Sequence, residues 1–123
     1  MAINIITTNM ADQFAHWASD AVIADVASGI GFADAVVEYA AAGATLHHVV
    51  EGISWSYDGV PTNGSLRIED GITLVFEVDV VAAGPGYVPV RKRGSANTAL
   101  TITLAGGGGA VGCRLNIIGH RLD

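Results

Sequence analysis

Few side chains here are of types that do chemistry: four histidines, one cysteine, twelve acidic groups and a short basic run. His47 and His48 are adjacent, so on an extended strand they point to opposite faces and cannot chelate one ion together. His47 and Glu51 share a face, but four residues of strand separate them by roughly 13 Å, too far for a common metal ion. His16 and His120 have no partner visible in the sequence. A cupin-type centre needs several histidines and a glutamate converging inside a barrel, and His47, His48, Glu51 and His120 are the whole stock for it. Glu77 and Asp79 place two carboxylates ~7 Å apart on one outward strand face. A glycosidase pair also needs a cleft and aromatic platforms, and the only tryptophans are Trp17 and Trp55.

The remaining motifs read as structure. The run from Gly107 to Gly112 matches GxGxxG, but a dinucleotide site needs that motif to open a helix whose N-terminus holds pyrophosphate. Here Cys113 to Ile118 alternate as a strand, and no acidic residue follows at the ribose position. Gly29-Ile30-Gly31 lacks the third glycine, and neither a Walker A lysine nor a GxSxG nucleophile elbow occurs. Asn63-Gly64-Ser65 matches a glycosylation sequon and reads as a turn. Cys113, alone on an apolar strand, is expected to be a buried, inert thiol. The expectation is a protein that is not an enzyme, with no catalytic residues, no cofactor and no metal.

Charge is distributed unevenly. Residues 1–90 hold eleven acidic groups against one basic, Arg67, whereas residues 91–123 hold five basic against one acidic, Asp123. Arg91, Lys92 and Arg93 carry half of all the positive charge. They read either as a solvated loop or as a contact that docks on the acidic remainder of a neighbouring copy or on another acidic partner. Three charges in an acidic protein are a small footprint for nucleic acid, so none is expected as a partner.

These groups must be held by one domain, since 123 residues leave little room for a second. Half of the residues are hydrophobic, enough for a core, and charged residues make up only 15%, below the usual quarter. Such a low-charge surface suggests that partners cover part of it. No apolar run reaches the ~18 residues of a membrane helix, so no membrane is expected. Met1 to Thr8 lack the basic region of a signal peptide.

Residues 1–43 are expected to supply an N-terminal arm and the first strands of the domain, and 44–123 its β-sandwich core. Asn9 can cap a short helix with Asp12 in its first turn. Met10, Phe14 and Trp17 recur at i, i+4 and i+7 and give that helix one apolar face. The face either covers one end of the domain's own core or docks in a neighbouring subunit. Residues 32–42 read as an alanine-rich helix or as a strand over 35–40, stopped by Gly43.

From Ala44 onward a period of two takes over. Val49, Ile53, Trp55 and Tyr57 share one face, with His48, Gly52, Ser54 and Ser56 opposite. Asp58-Gly59 and Asp70-Gly71 are hairpin signals. Leu66 and Ile68 alternate with polar neighbours, as do Leu74, Phe76, Val78 and Val80 with Thr73, Val75, Glu77 and Asp79. Ala83 to Gly86 breaks the sheet, and Tyr87 to Val90, holding Pro89, is an edge or a loop. Leu100, Ile102 and Leu104 form a further strand, Gly106 to Gly109 a tight connection, and Cys113, Leu115 and Ile117 the last strand. At least five strands, and eight with the N-terminal third, predict an all-β fold: an antiparallel sandwich or a jelly-roll-like barrel with a short N-terminal helix or arm.

The cassette from Ile53 to Gly71, with its continuation Val75-Phe76-Glu77-Val78-Asp79-Val80 and Ala82 to Gly86, resembles a known style. So do Gly94 to Leu100, Leu104 to Gly108 and Gly112-Cys113-Arg114-Leu115-Asn116. Together they resemble the small glycine- and alanine-rich β proteins of tailed-bacteriophage virions, most of all the head decoration (cement) proteins. The resemblance implies a structural role on the capsid surface, often as a trimer, bridging major capsid protein subunits against internal DNA pressure. Met10, Phe14, Trp17, Arg91, Lys92 and Arg93 are the interface candidates. A tail or fibre component that binds a host glycan is the alternative, and it requires exposed aromatics among Trp55, Tyr57 and Tyr87.

Overall fold

The computed structural model describes residues 23–122 of the chain. Met10, Phe14, Trp17 and the expected N-terminal helix lie outside these residues. The described chain is eight strands: β1 Ile23–Ile30, β2 Ala35–Tyr39, β3 His47–Tyr57, β4 Gly64–Asp70, β5 Thr73–Val80, β6 Gly84–Arg93, β7 Leu100–Leu104 and β8 Gly112–Leu122. They form two antiparallel four-stranded sheets, β1-β8-β3-β6 and β2-β7-β4-β5. Within residues 32–42 the structure thus has the strand, β2, and no helix.

The pairing is nested: β4 with β5, β3 with β6, β2 with β7 and β1 with β8. The chain behaves as one long hairpin rolled into a sandwich, which is the jelly-roll arrangement. The tip is the turn after Asp70, where Gly71 takes a φ of 62° and Asp70 pairs with Thr73. Asp58-Gly59 makes no hairpin, because β3 and β4 lie in different sheets, and the turn it forms carries the chain from one sheet to the other. The general lesson is geometric: an Asp-Gly pair sets a local turn but cannot say whether the strands it joins pair with each other.

The core follows from alternation. Val50, Ile53, Tyr57, Cys113, Leu115 and Ile117 of one sheet meet Ala35, Val37, Leu66, Ile68, Leu100, Ile102 and Leu104 of the other. Each of the larger apolar side chains contributes roughly 1.5–3 kcal/mol by leaving water. Two bulges change the simple period of two. The register of β3 shifts between Val50 and Gly52, so His48 and Val50 face inward together with Ile53, and Val49 stands on the opposite face, where it is still buried. Opposite the shift between Ile68 and Glu69, Val75 packs on the core and Leu74 turns out, 51% exposed. A single extra residue inverts every side chain beyond it, which is why alternation alone misplaces Val49 and Leu74.

The glycine-rich connection before β8 fastens one end of the sandwich. Gly108 donates its amide to the Gly31 carbonyl at 2.7 Å, Gly31 to Val111 at 3.0 Å, and Thr62 to Gly107 at 2.8 Å. Three loops therefore interlock through backbone bonds. Within the GxGxxG run itself, Gly108 and Gly109 take φ values of 81° and 53°, and a Cβ at Gly107 would lie 2.5 Å from the Val111 side chain, so the run is explained by its turn and by close packing, and it opens a strand.

Candidate functional site

Side chains that point away from the core form two broad faces. On the β1-β8-β3-β6 sheet, alternation and register put Ser28, Arg114, Asn116, Ile118, His120, Glu51, Gly52, Ser54, Ser56, Tyr87, Arg91 and Arg93 outward. Three arginines against Glu51 make this face basic. On the β2-β7-β4-β5 sheet, Glu38, Thr101, Thr103, Ser65, Arg67, Glu69, Glu77 and Asp79 point outward. Four carboxylates against Arg67 make it acidic. Arg67 Nε lies 3.3 Å from Glu69 Oε1, and Glu38, Glu77 and Asp79 are exposed.

The basic run is the end of a strand and not a loop. β6 is the edge of its sheet, and Pro85, Pro89, Arg91 and Arg93 alternate outward along it. Proline and charge on an edge also discourage unwanted strand addition. Arg91 has a φ of 50°, an uncommon conformation for a bulky residue. Its guanidinium Nε sits 3.5 Å from Glu51 Oε2 while 84% of its side chain stays exposed. His120 Nδ1 is 3.5 Å from the other Glu51 oxygen. Lys92 pairs with Val50 and turns to the opposite side, half-buried, so the three basic candidates do not act as one patch.

Tyr87, 63% exposed, lies over Gly52 on the neighbouring strand, where a Cβ would come within 2.6 Å of its hydroxyl. Ser54 is its cross-strand partner, and Asn116 is the next residue in that row. Tyr57 is buried and its hydroxyl donates to the Ala105 carbonyl at 2.5 Å. Trp55 is half-buried, with its indole where a side chain on Gly86 would have to go.

The other candidates have structural partners. His47 donates through Nδ1 to the Gly94 carbonyl at 2.8 Å, and His48 through Nε2 to the Ala40 carbonyl at 2.7 Å. His48 is buried, whereas Glu51 and His120 meet on the outer face, so the four residues a cupin centre would need do not converge in the interior. Among the described residues, no group of three histidine, cysteine, aspartate or glutamate side chains is placed to hold a metal ion. Three loop carboxylates bind backbone amides: Asp34 from Gly106 at 2.8 Å, Asp58 from Gly112 at 2.7 Å, and Asp70 from Ser95 at 3.0 Å. Cys113 is buried, and burial pushes its thiol up from the ordinary cysteine range, against the lowering effect of backbone bonds at Gly29 and Ala35.

At one end of the sandwich, some buried polar atoms have no partner among the described residues. They are the Tyr39 hydroxyl, His48 Nδ1 and Arg121 Nε. His48 and Arg121 pair across β3 and β8, and the Tyr39 and His48 rings lie 5.5 Å apart. Sequence reasoning did not single out Tyr39 or Arg121, and nothing in their local pattern marks them.

No protein-family model matches this chain, and no curated protein matches it. Solved structures of similar fold include a family 16 carbohydrate-binding module (10% identity, covering 78% of this chain and 74% of that one, TM-score 0.47). A second is the carbohydrate-binding module CBM36 in complex with calcium and xylotriose (10% identity, 80% and 92%, TM-score 0.42). A third is a family 61 module in complex with β-1,4-galactotriose (16% identity, 77% and 68%, TM-score 0.44). The likeness is one of β-sandwich architecture.

Proposed function

We propose that this chain is a virion structural protein of the head-decoration type, which lies against the outer capsid surface and stabilises the joints between major capsid subunits. The observation that supports this reading is the opposite charge of the two outer faces, basic around Arg91, Arg93 and Arg114 and acidic around Glu38, Glu77 and Asp79. A sandwich with two faces of unlike sign has a defined way up on a charged surface, and it can meet different partners on its two sides. Many such copies on one particle add their modest contacts through multivalency. In this reading the chain associates with itself and does no chemistry.

The test is quantitative mass spectrometry of particles purified from the strain that carries this sequence, with heads and tails separated. Stoichiometric recovery in the head fraction is the expected result. Absence from particles overturns the reading.

A second reading has its own observation. Tyr87 is an exposed ring on a flat face, flanked by Ser54 and Asn116, an arrangement suited to stacking a sugar ring and bonding its hydroxyls. It makes the chain a tail or fibre component that binds a host glycan. Of the three aromatics this reading needs, Tyr57 is buried and Trp55 half-buried, which leaves Tyr87 alone. Recovery in the tail fraction only, with glycan-array binding lost in Tyr87→Ala, would favour it.

A further inference from the structure

We infer that the acidic outer face of one copy docks on the basic outer face of a second copy, so that the chain assembles head to tail through its two sheets. The inference deepens the docking reading above by naming one partner, and it rests on charge complementarity. The donors of positive charge are Arg91 and Arg93 on the edge strand β6 and Arg114 on β8, all exposed. The acceptors are Glu77 and Asp79 on β5, itself the edge of the other sheet, and Glu38 on β2 at its far side. Like-with-like stacking of either face would oppose charges of one sign, so a two-fold face-to-face dimer is disfavoured. The favoured contact is heterologous, and a heterologous contact repeats until it closes a ring or grows a filament.

Apolar groups accompany the charges on both sides. Val26, Ile118 and Tyr87 stand exposed at 63%, 52% and 63% on the basic face, and Val36 and Leu74 at 46% and 51% flank the acidic one. Four strands of about seven residues present a flat area of roughly 500 Å². That is below the ~800 Å² per partner of a standard stable interface, so one contact is weak and salt-sensitive.

Arg91 stands at the bulge opposite Glu51, where its backbone takes a φ of 50°. Its guanidinium is left 84% exposed on the basic face, where a second copy can reach it.

The experiment is sedimentation velocity of the full chain from 10 μM to 1 mM, at about 20 mM and 500 mM salt. Two charge reversals accompany it, R91E/R93E and E77K/D79K. Wild type is expected to associate at low salt, with an apparent Kd at least tenfold weaker at high salt. Each variant alone should be at least tenfold weaker than wild type, because its two faces now carry like charge. Mixed in equal amounts, the two variants should associate again, the acidic faces of one meeting the basic faces of the other. A wild type that stays monomeric throughout, or a mixture no better than its components, overturns the inference. Circular dichroism of each variant shows whether it is folded. Should either variant fail to fold, R93E and E77K replace the pairs. The particle measurement above asks only whether the chain is in heads, so the two ideas fail separately.

Discussion

Arg91 and Glu51 form an ion pair, Nε to Oε2 at 3.5 Å, between two adjacent strands that are both irregular at that point. Glu51 sits at the bulge of β3, and Arg91 takes a positive φ of 50°. The pair is exposed, so it contributes little to stability, about 0–1 kcal/mol. The backbone of Arg91 costs about 1–2 kcal/mol relative to a residue free of a Cβ.

The Arg91→Gly variant is therefore expected to be as stable as wild type or more stable, by up to about 1 kcal/mol in urea unfolding. Its self-association should weaken at the same time. Opposite signs in the two measurements separate a docking residue from a structural one. Loss of stability in Arg91→Gly would mean that the guanidinium supports the fold.

Two tyrosines, Tyr57 buried and Tyr39 half-buried, should respond differently to loss of their hydroxyls. Tyr57 donates to Ala105, so Tyr57→Phe leaves that carbonyl without its partner and should cost about 1 kcal/mol. The Tyr39 hydroxyl has no partner among the described residues, so Tyr39→Phe should be neutral or stabilising. Equal losses in the two variants would show that Tyr39 is satisfied in solution.

The same residues set the behaviour in alkali. Burial, with smaller repulsion from Cys113 and Asp34, pushes Tyr57 up to about 12. Burial and nearby Asp25 push Tyr39 higher still. Both groups are raised in the fold, so both favour the native state below pH 10, the ordinary phenol value, and that stability is lost as pH rises through the folded values. Urea midpoints should hold flat to about pH 10 and fall between 10 and 12. Tyr57→Phe should flatten part of that fall.

Much of this fold was legible in the chain. Leu66 and Ile68, Leu100 to Leu104 and Cys113 to Ile117 obey a strict period of two, and each lies inward as alternation requires. The order of strands was not legible, because Asp58-Gly59 and Asp70-Gly71 look alike and only the second joins paired strands. Val49 and Leu74 were misplaced because a bulge leaves no mark in composition. The separation of charge was visible as halves of the sequence. That it becomes two faces of a sandwich depends on long-range pairing, since Arg91 is brought to Glu51 across forty residues of chain. The way Tyr87 lies along the sheet depends likewise on long-range pairing, which sets it over Gly52, a residue with no side chain to lift it.

Cys113 is 3% exposed, and its thiol is raised by burial, so it should resist thiol reagents in the native state. Labelling with a disulfide reagent should be absent over minutes in buffer and complete in denaturant. Its rate at low denaturant should track global unfolding, because Cys113 packs between Gly29 and Tyr57 in the sheet register. Fast native labelling would place β1, its covering strand, among the elements that open locally.

Gly52 offers a way to move Tyr87 without changing it. A methyl group at position 52 would sit 2.6 Å from the Tyr87 hydroxyl and 3.0 Å from its ring, so the ring must swing off the sheet. The ring is the far end of a flexible, exposed side chain, and the backbone at Gly52 has an ordinary φ, so Gly52→Ala should change stability by less than about 1 kcal/mol. If sugars stack on Tyr87, the same substitution should weaken glycan binding about as much as Tyr87→Ala does. If the face docks on protein mainly through Arg91 and Arg93, Gly52→Ala should weaken self-association far less than R91E/R93E does, because the arginines lie farther along β6 at Val49 and Glu51 and Tyr87 is only one of the apolar groups beside them. The two functional readings thus predict effects of different size for one methyl group.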